Sequence, residues 1–292
     1  MPELPEVEIT RRGLLPLLNQ KVANVVIRNA SMRWPIPAHL PETLLNQKLL
    51  SLKRRAKYIL AEFECGTLLL HLGMSGRISL LDRNYPPEKH DHFDISFYGV
   101  EGSAGQVLRL RDPRRFGAVL WAGLQANAPG RPLSNLTSEF DSPGNHPLLL
   151  SLGPEPLDDN FNADYLHDQL RSRSAAIKIA IMDSHLVVGV GNIYASESLF
   201  RARIHPETPA KNLTLKRCKK LVAEIKLTLN AALEAGGSSL RDFFGVDGTI
   251  GYFQQEYFAY GRTDEPCKVC SKPIKCIRLG QRSTFFCPSC QT

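Results

Sequence analysis

Cys267-Lys268-Val269-Cys270, then sixteen residues, then Cys287-Pro288-Ser289-Cys290: this spacing commits the end of the chain to a small cysteine module. Two CxxC knuckles on a short hairpin place four thiolates at the corners of a tetrahedron, the geometry zinc prefers. Four protein ligands leave no open coordination position, so one zinc ion here is structural and not catalytic. A redox pair is the other common use of CxxC, but it has no need of the second copy. The chain has seven cysteines and its first residues show no basic-then-apolar leader pattern, which favours metal over disulfides and predicts a cytosolic or nucleoid protein. Cys276, between the knuckles, is a spare thiol or a competing ligand.

The surroundings of the module are basic. Residues 262–292 hold six Lys/Arg (262, 268, 272, 275, 278 and 282) against two acids (264 and 265). The predicted hairpin tip, Gly280-Gln281-Arg282-Ser283, offers an arginine that can reach a phosphate. Over the 292 residues, 36 Lys/Arg oppose 29 acids, a formal net charge of +7. The excess is gathered in runs: Lys53-Arg54-Arg55 with Lys57; Arg109, Arg111, Arg114 and Arg115; Arg171, Arg173 and Lys178; Lys216-Arg217 with Lys219-Lys220; and the C-terminal stretch. Such runs are either solvated faces or the lining of one groove for a polyanion. No apolar run approaches the ~20 residues of a membrane span.

Upstream of the module the periodicity is helical. Asn162–Arg171, Ala175–Met182, Ile193–Arg201 and Leu215–Ala235 read as helices, and Cys218 falls on the apolar face of the last. Between the second and third lies Val188-Gly189-Val190-Gly191-Asn192. This is a tight helix–helix connection, or a backbone turn able to approach a phosphate, with Asn192 as cap of the following helix. Further upstream, 125–156 dissolves into Pro, Gly, Asn and Ser and reads as a linker.

Before that linker the period shortens to two. Val22–Ile27, Tyr58–Phe63, Thr67–Leu72, Arg77–Leu81, Phe93–Phe97, Val107–Leu110 and Ala118–Trp121 read as strands, with a brief helix at Glu42–Asn46. Many short strands argue for a β-sandwich or barrel. Within their turns, Met74 and Phe116 lie beside arginines and are either core fillers or wedges for a base stack. His90-Asp91-His92 enters a strand with no third ligand in view, which favours surface or phosphate contact over metal.

The first residues, Met1-Pro2-Glu3-Leu4-Pro5-Glu6-Val7-Glu8, read alone as an ordinary helix start. They also carry a chemical option. Removal of Met1 leaves Pro2 as a terminal secondary amine, a nucleophile toward an anomeric carbon, next to a carboxylate, Glu3, that can shuttle protons.

Taken together, the motifs resemble the formamidopyrimidine-DNA glycosylase family. They are Pro2-Glu3-Leu4-Pro5-Glu6-Val7-Glu8, Arg54-Arg55-Ala56-Lys57-Tyr58, His71-Leu72-Gly73-Met74-Ser75-Gly76 and Lys89-His90-Asp91-His92, in order. Asp112-Pro113-Arg114-Arg115-Phe116-Gly117, Gly189-Val190-Gly191-Asn192-Ile193-Tyr194, Tyr260-Gly261-Arg262 and Gln281-Arg282-Ser283-Thr284-Phe285-Phe286-Cys287 follow. The resemblance implies an α+β multidomain fold. Its parts would be an N-terminal β-sandwich with flanking helices (2–124), an insertion and linker (125–156), a helix–two-turns–helix domain (157–261) and a four-cysteine zinc finger (262–292), with duplex DNA in the cleft.

It further implies a monomeric enzyme that removes 8-oxoguanine and formamidopyrimidines from double-stranded DNA and cleaves at the abasic site, with one structural zinc ion and no catalytic metal or organic cofactor. By position, Pro2 would be the nucleophile, Glu3 the proton donor for sugar opening and Lys57 the acid of β-elimination, while Arg282 would bind phosphate and serve δ-elimination. His71, His90, Arg173 and Asn192 would bind DNA, and Met74, Arg114 and Phe116 would fill the gap left by the flipped nucleotide, Arg114 facing the orphaned cytosine. Cys267, Cys270, Cys287 and Cys290 would hold the zinc. The sequence departs from the family pattern at Cys276 and in a longer stretch at 125–146. Residues 243–250 lie where the family has its variable damaged-base loop.

Overall fold

The computed structural model describes residues 2–99, 105–123, 146–237, 246 and 257–292. All of the expected insertion at 125–146 but His146, and nearly all of the damaged-base loop, lie outside the described residues, as does Met1. The described chain divides into two compact units, one built on 6–151 with 1–2 and 239–251, the other on 3–5, 152–238 and 252–292.

The first unit is a sandwich of two four-stranded antiparallel sheets. One has the order β1 (Val22–Ile27), β6 (Asp91–Phe97), β7 (Gln106–Arg111), β5 (Arg77–Asp82); the other runs β2 (Leu49–Arg55), β3 (Tyr58–Phe63), β4 (Gly66–His71), β8 (Ala118–Gly123). Alternation dictates which face is buried. In β3 every second residue is buried, and Ile59, Ala61 and Phe63 join Phe93, Ile95 and Phe97 of the facing sheet in one core. Phe93 and Phe97 are wholly buried, each contributing roughly 1.5–3 kcal/mol by the usual transfer scale. β6 also buries polar residues, because they are satisfied. Asp94 accepts from Arg109 Nη2 at 2.9 Å and from Arg28 Nη2 at 2.7 Å, and the two guanidinium groups hold its carboxyl below its ordinary range despite burial.

β2 is a strand the sequence reading missed. Its register with β3 shifts between Leu49 and Ser51, so the apolar positions fall three apart and the period of two is broken. Its last residues, Lys53-Arg54-Arg55, belong to a sheet and not only to a basic surface. Helix α1 (Leu4–Gly13) precedes the sandwich with Pro5 in its first turn, and a short helix α2 (Leu40–Leu44) stands close to the expected position.

The second unit is helical and ends in the hairpin β9 (Lys275–Leu279)–β10 (Arg282–Phe286). A four-residue helix α3 (Pro147–Leu150) comes before it, at the end of the first unit and within the expected linker. Helix α4 (Ala163–Leu170) is capped by Asn162, whose side chain accepts from Tyr165 N at 2.9 Å. Helix α7 (Leu215–Glu234) buries Cys218, Val222, Ile225 and Leu229 on one face, so Cys218 is a core residue. Helix α5 (Ile177–Ile181) is shorter than expected, because Ala176 pairs with Pro209 and Ile177 N donates to Thr208 O before the helix begins. Turns over 182–191 then lead into helix α6 (Asn192–Ala202). Among the described residues no helix is long and apolar enough to cross a membrane.

Candidate functional site

In the first unit, Pro2 is buried and Lys57 sits half-buried at the two-residue turn between β2 and β3, where Ala56 adopts φ 54°. His71 ends β4, directly across from Tyr58, with ring centroids 4.8 Å apart. Its Nδ1 accepts the Gly73 amide at 3.1 Å, so the neutral ring carries its proton on Nε2. Burial, then the nearby Lys57 and Arg33 cations, lower its pKa to about 4. His71 is therefore a neutral donor at physiological pH.

The turns after β4 and β7 meet at Asp112, which is fully buried. Its Oδ1 accepts from Ser75 Oγ at 2.7 Å and from Arg114 N at 3.3 Å, and its Oδ2 accepts from Gly117 N at 2.8 Å. The two backbones touch: a Cβ on Gly73, whose φ is +61°, would lie 2.4 Å from the Phe116 carbonyl carbon. Met74, Arg114 and Phe116 project from this junction into solvent, with the Arg114 guanidinium 4.8 Å from the Phe116 ring centre. They are therefore not core fillers. His92 is buried and its Nε2 bonds to the Asp112 carbonyl at 2.9 Å, whereas His90 is only half-buried. The two histidines do different work.

In the second unit the centre is the start of α6. Glu3 is almost fully buried, and its carboxylate accepts from Gly191 N at 2.7 Å, Ile193 N at 3.0 Å and Tyr194 N at 3.4 Å. A negative side chain thus satisfies three donors that a helix N-terminus leaves unpaired. The expectation that Asn192 caps this helix is corrected: the cap residue is Gly191, and the capping group arrives from Glu3. Asn192 is occupied otherwise. Its Oδ1 accepts from Lys178 Nζ at 2.7 Å and its Nδ2 donates to Ser283 O at 3.0 Å.

Lys178, read from sequence as part of a surface run, is buried instead, bonded also to Thr284 Oγ1 at 2.7 Å and Ser283 O at 3.1 Å. Burial first, then Arg282, lowers its pKa to about 8, while Glu3 opposes the shift. Tyr260, buried enough to raise its pKa, faces Asn192 and packs edge-on against Phe285. Arg173 is half-buried and pairs with Asp183 at 2.7 Å. None of these partners is visible in local sequence, although Tyr260 does stand in a quoted motif.

Glu197, on the buried side of α6, accepts from Phe258 N, Ala259 N and Tyr260 N at 2.9, 2.9 and 2.8 Å. It holds the segment that leads to the cysteine module. There the Sγ atoms of Cys267, Cys270, Cys287 and Cys290 all lie within 4.8 Å of one another, with pairs at 3.4 and 3.9 Å. Thiolates at ~2.3 Å from a tetrahedral zinc ion stand roughly 3.8 Å apart, so the set fits one structural zinc. Cys276 is exposed on β9 and is not among the four. The hairpin turns at Gly280-Gln281 with φ of 52° and 62°, a two-residue turn of the primed kind, and leaves Arg282 exposed beside the tip.

Three family models match the chain: the formamidopyrimidine-DNA glycosylase N-terminal domain over 1–119, the formamidopyrimidine-DNA glycosylase H2TH domain over 152–244 and the zinc finger found in FPG and IleRS over 264–292. A formamidopyrimidine-DNA glycosylase of Methylobacillus flagellatus is 62% identical over 291 residues, covering 100% of this chain and 96% of the relative. Among solved structures, wild-type Lactococcus lactis Fpg (MutM) with N7-benzyl-Fapy-dG DNA is 31% identical with a TM-score of 0.85 and full coverage of both chains. The same protein with DNA containing an oxidised pyrimidine gives 31% identity and a TM-score of 0.85, again over 100% of each chain. The sandwich, the helical unit and the four-cysteine cluster agree with these matches, and the chain belongs to the formamidopyrimidine-DNA glycosylase family.

Proposed function

We propose that this chain is a bifunctional base-excision-repair enzyme that removes oxidised purines from duplex DNA through the Pro2 amine and then cleaves the strand. The observation that carries the reading is the Glu3 carboxylate. It is buried, fixed by three amides of the α6 start, and bonded through the chain to Pro2. As the Pro2 amine attacks the anomeric carbon it sheds its N–H proton, and a carboxylate so placed can take up that proton and pass it to the sugar ring oxygen as the ring opens. The base leaves with a proton, the opened sugar becomes an iminium with Pro2, and the iminium acidifies the adjacent C2′–H. Loss of that proton expels the 3′ phosphate, with Lys57 as the acid; δ-elimination with Arg282 expels the 5′ phosphate, and water releases the enzyme.

The described geometry supports the binding roles. His71 offers a neutral N–H donor, His90 and Arg173 are partly exposed, Asn192 is half-buried beside Lys178, and Met74, Arg114 and Phe116 protrude together. A base in a duplex has to be swung out before its sugar can be attacked, at a cost of roughly a few kcal/mol of stacking, and an inserted wedge recovers part of that. We assign 2–124 to the catalytic sandwich, 125–156 to insertion and linker, 157–261 to DNA binding and 262–292 to the zinc finger, with a monomer in the cytosol or nucleoid as the working form.

Borohydride trapping on a duplex with an abasic site tests the reaction class. A covalent adduct is expected, and it disappears in Pro2→Gly or when Met1 is retained. A second reading, oxidised pyrimidines as principal substrate, is favoured by the neighbouring structure with oxidised-pyrimidine DNA. Side-by-side excision of 8-oxoguanine opposite cytosine and of thymine glycol separates the two; a strong preference for thymine glycol would sink the purine reading.

A further inference from the structure

The Asp112 carboxylate is connected to each of the three protruding residues. Arg114 donates its own amide to Oδ1 at 3.3 Å. Ser75, the residue after Met74, donates its hydroxyl to the same oxygen at 2.7 Å and also accepts from Arg114 N at 3.2 Å. Gly117, the residue after Phe116, donates to Oδ2 at 2.8 Å. The backbone of Asp112 extends the network: its amide donates to His90 O at 3.0 Å, and its carbonyl takes His92 Nε2 at 2.9 Å and Arg115 N at 3.2 Å. A fully buried acid thus closes both ends of the 113–117 loop and ties it to the 73–76 loop.

This connection has a physical purpose. The Arg114 guanidinium lies over the Phe116 ring, but a solvent-exposed cation–π contact is too weak to fix three exposed tips relative to one another. Exposed loops sample many arrangements, and each lowers the fraction of encounters in which all three side chains enter the stack at once. The two remaining constraints point the same way. Gly73 has no room for a Cβ against the Phe116 carbonyl, and Arg115 holds φ 57°, a conformation costly for a non-glycine residue unless the surroundings impose it. The loops are built as one rigid piece.

We propose that Asp112 is a positioning residue for strand invasion: its carboxylate preassembles Met74, Arg114 and Phe116 as a single wedge and so sets how strongly the enzyme discriminates the base opposite the lesion. This rests on the reading that those three residues enter the DNA. Asp112 itself touches neither substrate nor reacting atoms. The Arg114 side chain can compare cytosine with adenine only if its backbone is held, because a bidentate contact tolerates little displacement.

The test uses the full zinc-loaded protein in four forms: wild type, Asp112→Asn, Ser75→Ala and Phe116→Ala. Three quantities are read: single-turnover excision of 8-oxoguanine opposite cytosine, the same opposite adenine, and cleavage of a preformed abasic site opposite cytosine. Asn at 112 presents an NH2 where an amide or hydroxyl donor already points; Ser75→Ala removes only the tie between loops. The expected result is a loss of about tenfold opposite cytosine for Asp112→Asn and about threefold for Ser75→Ala, with the cytosine-over-adenine ratio falling by at least about threefold in both.

Abasic-site cleavage, which requires no base excision, changes less. Should Asp112→Asn fail to fold by circular dichroism, Ser75→Ala decides alone. An unchanged cytosine-over-adenine ratio in folded Ser75→Ala and Asp112→Asn, with Phe116→Ala impaired, overturns the positioning role and leaves the wedge reading intact. Phe116→Ala excising at the wild-type rate overturns the wedge reading itself, and the role of Asp112 with it.

Discussion

Glu3 Oε2 lies 2.7 Å from the Gly191 amide nitrogen, and a Cβ at position 191 would fall 2.2 Å from Glu3 Cδ. The backbone there is extended, at φ −120°, so glycine is required by space and not by conformation. Gly191→Ala is expected to displace the carboxylate and lower base excision by at least about tenfold, since small misplacements near the reacting atoms are costly. Loss of the helix cap also lowers thermal stability, by about 1 kcal/mol. Single-turnover kinetics beside a melting curve check both; full activity would mean that the proton donor is held by something else.

Glu3→Gln separates charge from shape. The amide retains one acceptor for the α6 start but turns a donor toward N–H groups that already donate. Excision is expected to collapse while cleavage of a preformed abasic site, which no longer needs the first proton transfer, survives better. Equal losses in the two assays would argue for a purely structural Glu3.

His71 predicts a pH dependence. Its folded pKa is near 4 against an ordinary 6.5, so the folded state prefers the neutral ring. Between these values the unfolded chain binds the extra proton. The corresponding stability is therefore complete above about pH 6.5 and is lost as pH falls toward 4, on the order of 2 kcal/mol after allowance for solvent screening. Melting temperatures of wild type and His71→Gln should diverge at pH 7.5 and converge toward pH 4.5. A constant gap across that range would refute a neutral imidazole.

Zinc removal should act through the hairpin. Chelation, or Ser at 267, 270, 287 or 290, releases β9–β10 and with it Arg282 and the Ser283 and Thr284 partners of Lys178. DNA affinity is expected to fall at least about tenfold, and the wild-type complex should itself weaken steeply with salt, as phosphate contacts do. Fully active protein without zinc by mass spectrometry would contradict this.

Lys178→Met tests whether the buried ammonium is needed as a connector. Its three bonds to Asn192, Ser283 and Thr284 join the α6 start to β10. Methionine has similar length but no donors, so Asn192 Oδ1 and buried Thr284 Oγ1 each lose the donor they accept from, although the Thr284 hydroxyl keeps its bond to Arg282 O. Weaker DNA binding with normal zinc content is the expected outcome.

How far these features were legible in sequence follows from how local their causes are. Seven of the eight sandwich strands carry clear alternation or apolar runs bounded by turn residues, and they were readable; β2 was not, because its bulge disrupts the period. The cysteine spacing and the hairpin turn are local and were equally readable. Asn192 as a cap was a reasonable local inference that failed because the capping carboxylate comes from 188 residues away. Lys178, Asp112 and Glu197 are of the same kind. Each is an unremarkable charged residue until the fold supplies its partners, and no periodicity or spacing could have distinguished them from solvated charges.

Glu197 has one more consequence. By clamping three successive amides at 258–260, it sets a fixed anchor just downstream of a stretch whose upstream anchor is the end of α7, where Gly236 and Gly237 turn the chain at φ 75° and 82°. The three bonds go to main-chain amides, so side-chain changes at 258–260 leave the link between α6 and the cysteine module in place. Losing the Glu197 carboxylate, by contrast, would release all three amides at once and free the segment that leads into the cysteine module.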